Sequence, residues 1–264
     1  MCFSVTNGYI FITTSAFIFK VVSLHIPDGY LGPLTYIPLF IIMIPIWLYA
    51  GYRVQKDLKS RQVPYLALAA AFSFVIMMFN VPIPDGSSGH AVGSALVAIV
   101  LGPWAAIVST SVALVIQCFI FGDGGVTTLG ANCFNMAVVI PISAYAVYKL
   151  ISGKSPITSN RRLVACAIAG WFGLTFAAGI AGTEMGLQTI LYPAVNGRFP
   201  YMPYGLNVTV PAMLFGHAFF FSIVEAAVTV LAFAYISRYN PSIIWDYKPK
   251  KKNKAADVVV SNTL

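Results

Sequence analysis

Charge is scarce in this chain. Of 264 residues, 8 are acidic and 16 basic, 9% in all, where soluble domains carry about 25%. A surface so poor in charge does not cover a domain in water. The composition therefore excludes an ordinary soluble protein and points to a bilayer as the solvent. Histidine is scarcer still, with three residues: His25, His90 and His217. None of the four cysteines stands in a C-x-x-C pair, which excludes a zinc ribbon or a dithiol redox motif. Cys118, Cys133 and Cys166 lie in apolar runs and are expected to pack. There is no H-E-x-x-H and no nucleophile–base pair, so an intramembrane enzyme has no motif to rest on. "SGKSP" at 152–156 looks like the end of a P-loop, but Tyr148 stands where that motif needs its first glycine. The chain is not expected to hydrolyse ATP.

What is there is apolar: 58% of residues are hydrophobic and the mean hydropathy is +0.80. Seven runs read as spans, over 35–52, 63–81, 90–101, 104–121, 131–150, 163–182 and 209–237. Each full crossing needs roughly 20 residues. The fold class is an all-α integral membrane protein, a bundle of seven transmembrane helices. The third run is short, held between "SSGH" and the breaker pair Gly102-Pro103. It forms either one broken helix with the fourth run or two helices joined by a tight turn. Basic residues follow alternate spans: Arg53, Lys56, Lys59 and Arg61; Lys149, Lys154, Arg161 and Arg162; then Arg238 and "KPKKKNK". The net charge of +8 is thus a positive-inside pattern and not a nucleic-acid signal. It puts the start of the chain outside and the C-terminus in the cytoplasm of a prokaryotic cell. The transmembrane domain covers 24–240, and 241–264 is a basic cytoplasmic tail. The first 23 residues leave three readings open: a cleaved signal, an extra helix, or a mis-assigned start, with Leu24 the first residue in that last case.

The outer loops read "HIPDGYLGP", "PIPDGSSGH" and "FGDGGVTTLGAN". Gly and Asp supply tight turns. Non-helical backbone at membrane depth survives only where protein or a wet cavity covers it, so these loops are expected to fold into the outer mouth of the bundle. His25 and His90 lie beside them, and with so few acidic residues little else could hold a metal. A histidine second from a free amine is a good chelate: amine, its own backbone nitrogen and its ring nitrogen fit one plane. A second histidine fills the fourth corner, and four planar nitrogens favour Cu(II) or Ni(II). If the mature chain begins at Leu24, His25 is that second residue and His90 the fourth donor.

"LHIPDGYLGP", "VPIPDGSSGHAVGSALVAIVLGPWAAI" and "FGDGGVTTLGANCFNMAVV" resemble, in order, the substrate-binding membrane subunit of energy-coupling-factor nickel/cobalt transporters, the CbiM/NikM family. The likeness runs from Leu24 to about Arg238. It implies seven helices with the N-terminal segment tucked into the bundle. It implies Ni2+ or Co2+ as transported substrate, held by the Leu24 amine, by backbone and ring nitrogens of His25, and by a ring nitrogen of His90. It implies three protein partners: a membrane coupling subunit, an ATPase subunit and a small accessory membrane subunit. Family members usually begin Met-His-Ile; here Leu24 replaces Met and 23 residues precede it. Planar nitrogen ligation and "HIPDG" lean toward nickel.

Other polar residues carry a structural and a functional reading side by side. Asp28 and Asp85, each between Pro and Gly, are turn-formers or acceptors that orient an imidazole; Asp123 in "GDGG" is equally open. Asn132 and Asn135 are placed to hydrogen-bond the inserted N-terminal loop. Ser87 and Ser88 are expected to cap the third span, with His90 in its first turn. Met136 reads as packing. Glu225, buried in the last span two turns after His217, needs a partner and is expected to support the cytoplasmic half of the bundle. Ala67, Ala69, Ala70 and Ala71 allow close helix contact, within the chain or with the coupling subunit. Two alternatives to metal capture stand: an energy-coupling-factor subunit for an organic vitamin, though the loops lack an aromatic and polar cage, and, more distantly, an intramembrane enzyme.

Overall fold

The structure is a computed structural model that describes residues 3–6, 9–12, 24–57, 63–79, 81–82 and 88–247. At the start, β1 (Phe3–Thr6) pairs antiparallel with β2 (Tyr9–Ile12). Most of the other described residues are helical, because a chain in hydrocarbon must satisfy its backbone internally. In order come α1 (Pro33–Asp57), α2 (Val63–Met78), a two-residue ladder of β3 (Val81–Pro82) with β4 (Ser88–Gly89), α3 (Ser94–Leu101) and α4 (Pro103–Ile116). After them come α5 (Leu129–Asn132), α6 (Ile140–Ser152), α7 (Asn160–Gly186), α8 (Gln188–Leu191), α9 (Leu206–Gly216) and α10 (Ser222–Tyr239). Three π-turns, at Gln117–Phe121, Cys133–Val139 and His217–Phe221, continue α4, join α5 to α6 and join α9 to α10.

Among the described residues five helical runs are long and apolar enough to cross a membrane: Pro33–Asp57, Pro103–Phe121, Leu129–Ser152, Asn160–Leu191 and Leu206–Tyr239. With the shorter α2 they occupy six of the seven expected spans. The chain is a membrane protein. The third span is different. Helix α3 has 8 residues, every one buried, and at 1.5 Å per residue it is only about 12 Å long. It is a half-helix at the centre of the bundle, packed on α2, α4, α6, α7 and α10. Gly102, at φ 93°, turns the chain sharply and Pro103 starts α4, so the third and fourth spans are two helices.

His90 therefore stands four residues ahead of the helix and not in its first turn. Ser88 is no cap either: it is part of the β ladder, paired with Pro82, and Ser87 lies outside the described residues. The N-cap is Gly93, in the left-handed conformation at φ 76°. The acceptor that a serine hydroxyl would have supplied comes from the neighbouring helix α10. Glu225 Oε2 accepts from the N–H groups of Val92 and Gly93 at 2.8 Å each. Glu225 thus caps a broken helix near the middle of the last span instead of bracing the cytoplasmic half.

Helix α7 is the common spine for α6, α9 and α10. Its buried face is small: Ala165, Ala169, Gly170, Gly173, Ala177, Ala181 and Gly182. A methyl added at Gly170 would sit 3.1 Å from Ala226 Cα, and one at Gly182 3.0 Å from Val210 Cα, the close backbone approach that small residues allow in membranes. Ala69 of α2 is buried, whereas Ala67 and Ala71 are exposed. Apart from Arg198, in the loop between α8 and α9, the described basic residues gather at one end. There residues 241–247 fold back under the bundle. Trp245 N donates to Val100 O at 2.8 Å, and Asp246 joins Arg162 at 2.8 Å and Lys149 at 3.2 Å. The loops carrying His25 and His90 close the other end.

Candidate functional site

Residues 24–32 enter the bundle as a bent, non-helical strand, with Leu24, His25 and Ile26 buried. Buried backbone needs partners, and the glycine-rich loop before α5 supplies them. Ile26 N donates to Asn132 Oδ1 at 2.8 Å. Ile26 O accepts from Asn132 Nδ2 at 3.1 Å, from Gly125 N at 3.1 Å and from the Thr128 hydroxyl. Asn132 thus grips both main-chain polar groups of Ile26.

Asp28 locks the same two segments at the rim. Its carboxylate accepts from Val126 N at 3.1 Å, Thr127 N at 2.8 Å and the Thr127 hydroxyl. Partial burial pushes the Asp28 carboxyl up, but the bonds from Thr127 and Val126 outweigh it and hold it below its ordinary range. A Cβ at Gly125 would collide with Asp28 N, so only glycine lets the two loops touch. Beyond the turn, Gly32 N donates to Gln188 Oε1 at 2.9 Å, Leu34 N to the Tyr192 hydroxyl at 2.6 Å, and Met202 N to Tyr30 O at 3.2 Å.

The clamped strand delivers the His25 ring to His90. His25 Nδ1 and His90 Nε2 are 2.7 Å apart, and the rings are tilted by 43° with centroids 4.6 Å apart. His90 Nδ1 is 3.1 Å from Ala91 O. That nitrogen therefore donates to the carbonyl, and the Nε2 lone pair faces His25. Burial pushes His25 down to about 4. Burial, with His25 alongside, pushes His90 down to about 3. Both rings are neutral at pH 7, the form that ligates a metal.

The Asp123 carboxylate stands beside the pair, with Oδ2 3.8 Å from His25 Nδ1; burial raises its pKa. Asp28 bonds Val126 and Thr127 and orients no imidazole. Asn135 does not bond the inserted loop: its Nδ2 donates to Glu184 Oε2 at 2.7 Å, tying the π-turn to α7. Asp85 lies outside the described residues, and Met136 is fully buried in the core. Among the described residues no three His, Cys, Asp or Glu side chains come together as a metal cluster.

Sequence reasoning passed over Gln117, which is fully buried at the first position of its π-turn. Its amide is close enough to act on the His25 ring, yet neither amide atom, nor His25 Nε2, is in a well-formed hydrogen bond. Its signal was a lone amide in an apolar run. Thr127, Thr128, Gln188 and Tyr192 were also missed, since each bonds a group far away in sequence, Thr127 the Asp28 carboxylate and the others backbone.

A family model described as "Cobalt uptake substrate-specific transmembrane region" (CbiM) matches residues 25–243. The fused nickel transport protein NikMN of Rhodobacter capsulatus is 45% identical over 221 residues, covering 84% of this chain and 64% of that longer protein, so the chain spans under two thirds of it. The cobalt transport protein CbiM of Lachnoclostridium phytofermentans is 35% identical over 178 residues, 66% of this chain and 68% of that one. A crystal structure of a truncated transition metal transporter superposes with a TM-score of 0.76 at 44% identity, covering 81% of this chain and 98% of the other.

Proposed function

We propose, from the premise that this chain belongs to the CbiM family, that it is the membrane component that captures Ni2+ or Co2+ for uptake. It is a transport protein and not an enzyme. The observation that carries the reading is the buried neutral pair, His25 Nδ1 to His90 Nε2 at 2.7 Å. Metal–nitrogen bonds near 2.0 Å meeting at a right angle separate neighbouring donors by roughly 2.8 Å. The pair is therefore already spaced as adjacent corners of a planar site. In an amine–histidine chelate the His25 backbone nitrogen is the middle donor, so the fourth donor falls next to the His25 ring, where His90 stands. The remaining two nitrogens, the Leu24 amine and the His25 backbone, come from the buried strand itself. Among the described residues no three ligating side chains gather around the pair, which fits a site completed by main chain. Four planar nitrogens suit nickel better than cobalt.

The ion enters at the histidine end, which faces outside, while the basic end faces the cytoplasm by the positive-inside rule. Two neutral imidazoles lose no proton when they replace its water. The glycine-rich loop 122–128 closes over the loaded strand. Release inward is driven by ATP hydrolysis in a partner ATPase, acting through a membrane coupling subunit with a small accessory subunit, in the cell membrane of a prokaryote.

N-terminal sequencing with intact mass, from the native host, checks that the mature chain starts at Leu24 or at a Met in its place. Titration calorimetry with Ni2+ then reads the site. The parent binds one ion per chain, and His25→Ala and His90→Ala each lose at least about a thousandfold in affinity, the worth of roughly 4 kcal/mol. Parent-like binding in both variants rejects the site, and a retained Met1 rejects the amine ligand.

A further inference from the structure

The position of His90 is set from a distance. Its ring is pinned by its own main chain, through Nδ1 to Ala91 O at 3.1 Å, so the ring goes where the backbone of 89–93 goes. That backbone is non-helical and buried, and it has no side-chain cap of its own. Two side chains of the last span hold it. The Phe221 ring lies against Gly89 so closely that a Cβ there would collide with it. One turn further on, Glu225 Oε2 takes the N–H groups of both Val92 and Gly93 at 2.8 Å. A carboxylate is the strongest partner for such groups, because the start of a helix is the positive end of its dipole.

We propose that Glu225 is a positioning residue for the metal site: by capping the α3 half-helix it fixes the His90 arm to the last span, and it sets the geometry with which His90 meets the ion. Phe221 fixes the upstream side of the same arm. The His90 ligand thus travels with the run Leu206–Tyr239 and not with the loop that bears it. This rests on His90 being a ligand.

The test is Ni2+ titration and ligand-field absorption of the full chain in detergent, for Glu225→Ala, Glu225→Asp, Glu225→Gln and His90→Ala. Glutamine keeps an acceptor oxygen at the same reach; its affinity stays within about threefold of the parent and its bands do not move. Aspartate keeps the charge but falls one methylene short; it loses at least about tenfold, the usual effect of removing a support behind a ligand, and its bands shift. Alanine behaves like aspartate or worse. If alanine does not fold, the Asp and Gln pair decides. Parent-like affinity and bands in both Asp and Ala overturn the proposal. So does a failing Gln beside a normal Asp, which would make charge and not reach the active property. A His90→Ala variant that binds like the parent removes His90 as a ligand, a failure distinct from Glu225 variants that bind normally while His90→Ala does not.

Discussion

The two histidine arms reach the same point by opposite constructions. The His25 arm is stitched on by many hydrogen bonds: Asn132, Gly125 and Thr128 on Ile26, the Asp28 clamp at the rim, and Gln188 and Tyr192 further along. Almost every bond goes to backbone, across sequence separations from 99 to 158 residues. The His90 arm has few such bonds. It is the unwound lead-in to a half-helix, gripped by one carboxylate and one aromatic ring of the last span. The first arm is an inserted loop tied to several elements through its backbone. The second is continuous with a buried half-helix of the bundle.

The sharpest way to break this comparison is Asn132→Leu. Asn132 Oδ1 is the acceptor for Ile26 N, and burial of that N–H without a partner costs about 1–3 kcal/mol. Ile26 O keeps Gly125 and Thr128. The expected result is a docked loop that is loosened but not lost, with Ni2+ affinity down about 10–100-fold. Protease protection of residues 24–32 should fall, while the His90 side keeps its protection. Parent-like affinity would show that the Asn132 grip is dispensable.

A smaller effect is expected at Gln117, and it sharpens the comparison because it separates ligand support from folding. Both amide atoms are buried without a well-formed bond, so Gln117→Leu removes two unsatisfied groups and is expected to leave the metal-free protein as stable or more so. If His25 Nδ1 ligates the ion as proposed, Nε2 carries the proton, and the Gln117 side chain is the partner at hand. Calorimetry should show Ni2+ affinity down by about fivefold to tenfold, toward the low end of such supports, with an unchanged or raised melting temperature. A fall in stability with intact affinity would assign Gln117 to packing.

The spans were legible because hydropathy is a local property, and six of the seven runs became helices close to the expected limits. The third failed in a specific way. "SSGHAVGS" looks like a capped helix start, but the cap is Glu225, more than 130 residues away. The cost of a buried carboxylate announced that Glu225 had a partner. It did not say which, because the partner is backbone N–H, and every residue but proline offers one. The same reason hid the bond partners of Asp28 and Asn132. The repeated Ile-Pro-Asp-Gly flagged the loops, and the sparse histidines flagged the pair. The three π-turns left no readable pattern, although one of them aims Gln117 and another precedes Glu225.

The last effect, read as a melting temperature and not as an affinity, is one of pH, and both arms share it. Burial lowers His25 to about 4 and His90 to about 3, against about 6.5 in the unfolded chain. As pH falls through 6.5 the unfolded state takes up protons that the folded state refuses, so stability is full above that pH and declines from 6.5 toward 4. At pH 5 each ring costs about 2 kcal/mol, a shift of several degrees in melting temperature for a chain of this size. His90→Asn removes one of the two titrating rings. The fall in melting temperature of the metal-free protein between pH 7 and 5 should therefore be shallower in the variant, whatever its absolute stability. An equal slope in parent and variant would mean that His90 takes up its proton in the folded state, and that the arm held by the last span opens to water more readily than its burial indicates.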